Sequence, residues 1–227
     1  MFPAEISHRL VAAELQGELP AIIGREIIVL EQTGSTNDAI LEVAWPKGVG
    51  VALGRRSLGE SGSPSFRKSE GLVLFAEHQS AGRGQWGNRW ESAPGKGLWF
   101  SILLQPEIEI NESARLTLWA IETISDVIRT ELSLEPTIKL PNDIQIHGRK
   151  VAGVLTEMRA QEKAPHLAVV GIGINVNHSL QDFPPELRNR AISLAMALQR
   201  SVDRQKFAVA LLRNLDQSYR EKFPERL

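Results

Sequence analysis

Residues 144–159 run Ile144-Gln-Ile-His-Gly-Arg-Lys-Val-Ala-Gly-Val-Leu-Thr-Glu-Met-Arg159. Two strand-like runs, Ile144–His147 and Val151–Arg159, flank Gly148-Arg149, a spacing that predicts a hairpin and therefore antiparallel pairing. The longest apolar stretch follows, Leu167-Ala-Val-Val-Gly-Ile-Gly-Ile174, and reads as a buried strand continuing to Asn175. Glu26–Glu31, Leu72–Ala76 and Leu98–Leu104 are further runs of strand length. Residues 4–15 suggest a short helix, and Ser35 opens another, with Asp38 at capping-box spacing and Pro46 as its stop. Over 112–132, Leu116, Trp119, Ala120, Ile124, Val127, Ile128 and Leu132 recur at helical spacing. Phe207, Leu211, Leu215 and Tyr219 mark one side of a last helix ending near Glu221. Strands joined by hairpins, with helices interspersed, predict an α+β fold: a mixed, largely antiparallel sheet flanked by helices.

At 227 residues the chain can bury a substantial core. Residues 46–70 are rich in Gly, Ser, Pro and basic side chains. The strands on either side belong together, so 46–70 reads as a loop insertion in a single domain spanning 1–227. A formal net charge of −1 gives no global attraction to nucleic acid or anionic membrane. The absence of cysteine excludes disulfides, thiolate zinc sites and cysteine nucleophiles. Met1–Leu15 lacks the apolar core of a signal peptide, and no apolar run reaches the roughly 20 residues that span a bilayer. A cytoplasmic protein is expected. The histidines show no ligand spacing, so no transition-metal site is expected.

Three segments carry chemistry. The first is Gly82-Arg83-Gly84-Gln85-Trp86-Gly87-Asn88-Arg89-Trp90. Its glycines suit a nest of backbone N–H groups facing phosphate oxygens, and Arg83 adds a forked donor for a carboxylate or phosphate. A surface turn with an ion pair is the competing account. Upstream, the polar residues Glu77-His78-Gln79 are expected to emerge at a strand end, and Gln79 offers both donor and acceptor. Trp99 is expected in the core, whereas Trp86 and Trp90 either cover a flat ligand or pack the loop onto the body.

The second segment, Lys139-Leu-Pro-Asn-Asp143, places a lysine and an aspartate around a stiffening proline. In the third, Lys150 precedes Val151-Ala152-Gly153, where small residues leave room for a bound group. A lysine turned inward there needs an anion; turned outward it is an exposed strand residue. Gly171-Ile-Gly-Ile-Asn175 has glycines inside a strand, a mark of close approach by a ligand or backbone.

Taken in order, Ser35-Thr36-Asn37, Gln79, Gly82-Arg83-Gly84, Trp90-Glu91-Ser92, Lys139-x-Pro-Asn-Asp143, Arg149-Lys150-x-Ala-Gly153 and Gly171-x-Gly-Ile-Asn175 resemble the catalytic domain of biotin protein ligases, over about residues 26–177. The resemblance implies the class II aminoacyl-tRNA synthetase-like, biotin–lipoate ligase fold. It implies that biotin is activated by ATP with Mg2+ as biotinyl-5′-AMP and passed to a lysine of a biotin carboxyl carrier domain of a carboxylase. Lys150, Arg83 and Asp143 would be catalytic, Asp143 by orienting the incoming lysine or by helping to place the metal. Ser35, Thr36, Asn37, Gln79, Arg83, Gly84, Lys150 and Gly153 would hold biotin. Gly82, Arg83, Gln85, Trp90, Lys139, Asn142 and Asn175 would meet the nucleotide, with the 82–90 loop closing over the adenylate.

The chain departs from the pattern. Gln85 and Asn88 stand where many members have arginine, and Leu140 replaces the motif's usual tryptophan. No helix-turn-helix is seen before the domain, so no DNA partner is expected, and no membrane partner either. The family's small C-terminal β-domain is not evident, and a homodimer stays open. A lipoate or octanoate ligase or transferase of the same fold, and a non-catalytic biotin-binding homologue, are the alternatives.

Overall fold

The structure, a computed structural model, describes residues 9–16, 22–44, 70–160 and 166–224. The proposed insertion at 46–70, Glu70 apart, lies outside the described residues, as do the first five positions of the helix expected at 4–15. What is described there is a single turn and a half, α1 (Ala12–Gln16).

Among the described residues, seven strands form one sheet: β1 (Glu26–Thr33), β2 (Leu72–Gln79), β3 (Gly97–Leu104), β4 (Thr137–Lys139), β5 (Asp143–Ile146), β6 (Arg149–Arg159) and β7 (Leu167–Asn175), in the order β1-β2-β3-β7-β6-β5-β4. Only β1 and β2 run parallel, with Thr33 opposite Gln79; every other neighbouring pair is antiparallel, as the hairpin spacing requires. The β5–β6 turn falls at His147-Gly148, one residue earlier than the sequence suggests. Both residues take positive φ, 51° and 70°, the backbone of a two-residue turn whose twist matches its strands. The three-residue β4 is too short to show a period, and it pairs with β5 across a turn holding the cis Leu140-Pro141 bond.

The strands alternate between two covered faces, which is why they read as nearly continuous apolar runs. On one face, Val73, Phe75, Leu98, Phe100, Ile102, Val170 and Ile172 join the large core cluster. Two long helices cover it, α3 (Ser113–Leu132) and, after the short α4 (Leu194–Leu198), α5 (Arg204–Lys222). Their expected apolar stripes are buried, Leu132 apart, which is half-buried at the end of α3. Left-handed Ser133 ends α3, and the Asp203 side chain caps α5 by accepting the Lys206 N–H. The other face carries α2 (Thr36–Ala44), whose Ala39 and Ile40 pack on Leu72, Leu74, Leu103, Leu167 and Val169. Because α2 is short, this face stays open at the end where β2 and β7 finish and β6 begins.

Glu77 does not emerge there. It faces the large core, paired with buried Arg204 at 2.7 Å, and Arg204 also donates to the Gly97 carbonyl. Even-numbered neighbours on β2 point to opposite faces, and Glu77 follows Val73 and Phe75 inward. Among the described residues, no helix is long and apolar enough to cross a membrane.

Candidate active site

The open end of the α2 face is floored by glycine. Gly171 and Gly173 of β7 and Gly153 of β6 point the same way, and a β-carbon on any of them would strike a neighbour. At Gly171 it would strike Asn37; at Gly153 it would come 3.0 Å from Trp90 and Lys150. The close approach expected over these glycines is therefore made by the protein's own side chains.

A continuous hydrogen-bond network walls this trough. Ser92 and Gln79 bond reciprocally, the Gln79 N–H donating to the Ser92 hydroxyl and that hydroxyl to the Gln79 carbonyl. Gln79 Oε1 accepts from the Thr36 N–H at 2.8 Å and the Thr36 hydroxyl at 3.2 Å. The Ser101 hydroxyl, inside β3, lies 2.8 Å from Thr36 Oγ1 and 2.6 Å from Asn37 Oδ1 and donates its one proton to either acceptor. Asn37 Nδ2 donates to Glu157 Oε2 at 2.6 Å, and Glu157 holds Arg83 through both oxygens at 3.1 and 2.8 Å. Arg83 also reaches Asp38, 2.8 Å away. Asp38 thus turns to Arg83 rather than back to Ser35 in a capping box. Ser35, Thr36, Asn37 and Gln79 are all buried, held by the parallel β1–α2–β2 crossover that sets Thr33 beside Gln79.

Opposite Arg83, Lys150 lies 2.6 Å from Asp143 Oδ1, an approach whose alignment makes it an ion pair rather than a good hydrogen bond. The Lys150 ammonium also sits 5.1 Å from the centre of the Trp90 ring. Its backbone is fixed between Arg190 and Ile192: its N–H donates to Arg190 and its carbonyl accepts from Ile192. Behind Trp90, the buried Trp99 ring packs edge-on, and His178 follows between Trp99 and Phe183. Trp99 belongs to the buried residues, as expected.

The 82–90 loop differs from the open nest its glycines suggest. It folds on itself: the Trp90 N–H donates to Gly82 and the Gly84 N–H to Asn88. Positive φ falls on Trp86 and Gly87 instead of Gly82 and Gly84. Gly82 is needed for closeness, because a β-carbon would come 2.7 Å from the Trp90 carbonyl. Trp90 covers the trough with its indole N–H buried and unpartnered, whereas Trp86 is 90% exposed.

Ser35, Thr36, Asn37, Gln79, Arg83, Gly84, Trp90, Asn142, Lys150 and Gly153 line one pocket. Its free volume is about 40 Å3, because Trp90 fills it; a hollow of about 440 Å3 adjoins on the outer side of the loop, lined by Gln85 and Trp86 among others. Two expected nucleotide contacts lie elsewhere. Lys139 stands exposed on the edge strand β4, and Asn175 is buried with its amide donated to the carbonyls of Lys150 and Ile192. Lys139 stands opposite Asp143 and on its face of the sheet, but on the outermost strand, beyond the residues that line the trough, and the neighbouring 190–192 segment claims Asn175. Asn142 is laced to Val154 through both backbone and side chain.

Sequence reasoning missed Asp38 and Ser101 as site members, and Glu157 above all. The signal for Glu157 was the two-residue period of β6, which puts Gly153, Leu155 and Glu157 on one face. The pocket thus sets two cations, Arg83 and Lys150, among three carboxylates, beside a row of neutral donors and acceptors.

Such a trough, with polar groups for a head and cations for an anionic tail, suits a domain that grips a small carboxylic acid. The chain belongs to the biotin/lipoate A/B protein ligase family, whose model matches residues 59–175. It is 39% identical over 152 residues to the bifunctional ligase/repressor BirA of Bacillus spizizenii, covering 67% of this chain and 47% of that one. It is 30% identical over 196 residues to the biotin–[acetyl-CoA-carboxylase] ligase of Mycobacterium tuberculosis, covering 85% of this chain and 63% of that one. The chain thus spans about half the length of its Bacillus relative. Among solved structures, the biotin protein ligase of Aquifex aeolicus in complex with biotin and ATP superposes with a TM-score of 0.67 at 26% identity, covering 88% of this chain and 73% of that one. The sheet and its helices therefore have the biotin protein ligase fold.

Proposed function

We propose that residues 1–227 act as one catalytic domain that activates biotin with ATP and transfers it to a lysine of a carboxyl carrier domain. The observation that carries this is the convergence of Arg83 and Lys150 on one glycine-floored trough beside Ser35–Asn37 and Gln79. The relatives point the same way, since the Aquifex structure is described with biotin and ATP.

On this reading the ring of biotin lies along the glycines, and Ser35, Thr36 and Gln79 hydrogen-bond its ureido group. Arg83 and Lys150 draw the acid's carboxylate against the α-phosphate and stabilise the charge that grows on phosphorus. The carboxylate oxygen bonds to phosphorus, pyrophosphate leaves, and the lysine amine of the carrier then attacks the acyl carbon and releases AMP. Asp143 orients Lys150. A pocket of about 40 Å3 is far below the several hundred that small ligands occupy, so Trp90 and its loop must swing outward to admit the acid and close behind it.

With three carboxylates around two cations, the site by itself does not neutralise a triphosphate. Magnesium carried by the nucleotide would supply that charge. It would be held mainly by phosphates with one or two protein carboxylates, for which Asp143, paired here with Lys150, is the candidate; among the described residues no group of three or more acidic or histidine side chains gathers.

The test is incubation with Mg·ATP and biotin, lipoate or octanoate separately, followed by mass spectrometry of the adenylate. A biotinyl-adenylate that Lys150→Ala abolishes supports the proposal. A lipoyl or octanoyl adenylate instead moves the chain to the sister activity, and biotin binding without any adenylate makes it a binding protein.

A further inference from the structure

Two carboxylates share the Arg83 guanidinium, and they do so unequally. Glu157 takes the end of the fork: Nη1 donates to Oε1 at 3.1 Å and Nη2 to Oε2 at 2.8 Å. Asp38 takes the remaining hydrogen of Nη2, also at 2.8 Å. That hydrogen and the Nε–H form the side edge of the guanidinium, the other edge able to bind a carboxylate in two-point fashion. Among the described residues Nε–H has no acceptor, so Asp38 half-fills the side edge with one bond.

The two partners also differ in how firmly they are held. Glu157 belongs to β6, opposite Val169 of β7, and its Oε2 accepts from Asn37 as well. Asp38 is in the first turn of α2, its side chain 56% exposed against 31% for Glu157. An ion pair so open to water is worth little, and exchanging it is easy.

We infer that Glu157 is a positioning residue that stays on the end of the guanidinium, while Asp38 holds the side edge only until the carboxylate of the substrate acid takes it. This rests on the ligase reading. The incoming carboxylate gains both Nε and Nη2, a two-point contact that Asp38 does not make. Glu157 meanwhile ties Arg83, which grips the acid's tail, to Asn37, which sits in the row facing its head. One carboxylate thereby fixes the distance between the two ends of the ligand, which favours an acid of one length.

The test compares biotin with biotinamide, which has the same rings and an uncharged tail. Both are titrated calorimetrically into the full chain, and the ratio of the two affinities is the readout. Asp38→Asn removes the competitor and is expected to tighten biotin by about 3- to 10-fold while leaving biotinamide unchanged. Glu157→Gln loosens Arg83 and is expected to weaken biotin by about 10-fold more than biotinamide. General damage to the pocket weakens both ligands alike and leaves the ratio untouched. An Asp38→Asn ratio that is unchanged or lower overturns the exchange. A Glu157→Gln ratio equal to wild type overturns the positioning role. If thermal melting shows Glu157→Gln unfolded, the Asp38→Asn result decides alone. A wild-type chain that binds neither ligand sinks the ligase reading itself, and this inference with it.

Discussion

The indole of Trp90 lies so close to Gly173 that a β-carbon on the glycine would fall 2.6 Å from the ring. Trp90 thus fills the space above the glycine floor, and it does so with a buried N–H that finds no partner. An unsatisfied donor makes this placement weaker than a fully bonded one. It suits a side chain that must leave and return.

Gly173→Ala should therefore expel the indole. The added methyl group is expected to cost about 1–3 kcal/mol of stability through overpacking. Urea unfolding would show the loss, together with a red shift of tryptophan emission as Trp90 meets water. An unchanged midpoint and spectrum would mean that Trp90 yields without resistance.

Lys150→Ala should spare the fold, since the backbone bonds that anchor this residue to Arg190 and Ile192 do not use its side chain. Adenylate formation is expected to fall about 10²- to 10³-fold, the usual effect of losing one group that stabilises transition-state charge. Single-turnover mass spectrometry measures it; a loss of only a few-fold would exclude Lys150 from the chemistry.

Arg204→Met should be the most destabilising of these substitutions. It strands the buried Glu77 carboxylate, and removing one member of a buried pair costs about 3–5 kcal/mol. The Glu77→Gln/Arg204→Met double variant should recover part of the loss, because no lone charge remains. A single variant within 1 kcal/mol of wild type would show that water reaches Glu77.

His178 gives the chain an acid-sensitive point. Burial chiefly, with help from Lys96 and Arg204 against the opposing pull of Asp182, lowers its pKa from 6.5 to about 4. Both ring nitrogens lack partners. The unfolded chain then binds the proton more readily than the folded one, so stability is full above about pH 6.5 and declines as pH falls towards 4. The loss reaches roughly 3 kcal/mol. His178→Phe, which keeps the stacking on Phe183, should flatten that slope in urea titrations run at several pH values. An equal slope in the variant would assign it to other groups.

The framework was legible because its signals are local. The hairpin around Gly148, the apolar run of β7 and the stripes of α3 and α5 each follow from a short-range period. Trp99 could be located in the same way, whereas the Ser35–Asn37 and Gln79 row stood out only through the family resemblance. What stayed hidden has no period of its own. The three residues of β4 are too few, and the alignment of β1 with β2 depends on pairing across a long separation. Arg83 could be recognised as a donor, but its two carboxylate partners come from α2 and β6, far apart in the chain.

Residue types and spacing alone therefore determined the α+β class, the glycine floor and the presence of two cations. Those properties are carried by each segment by itself. Only the tertiary structure decided how the groups are spent: Asn175 on the backbone, Lys139 on an outer edge, Glu77 in the core, and Arg83 between Asp38 and Glu157. A side chain's partner is set by which strands lie side by side and which face each residue turns to, and the sheet fixes both only once all seven strands have paired.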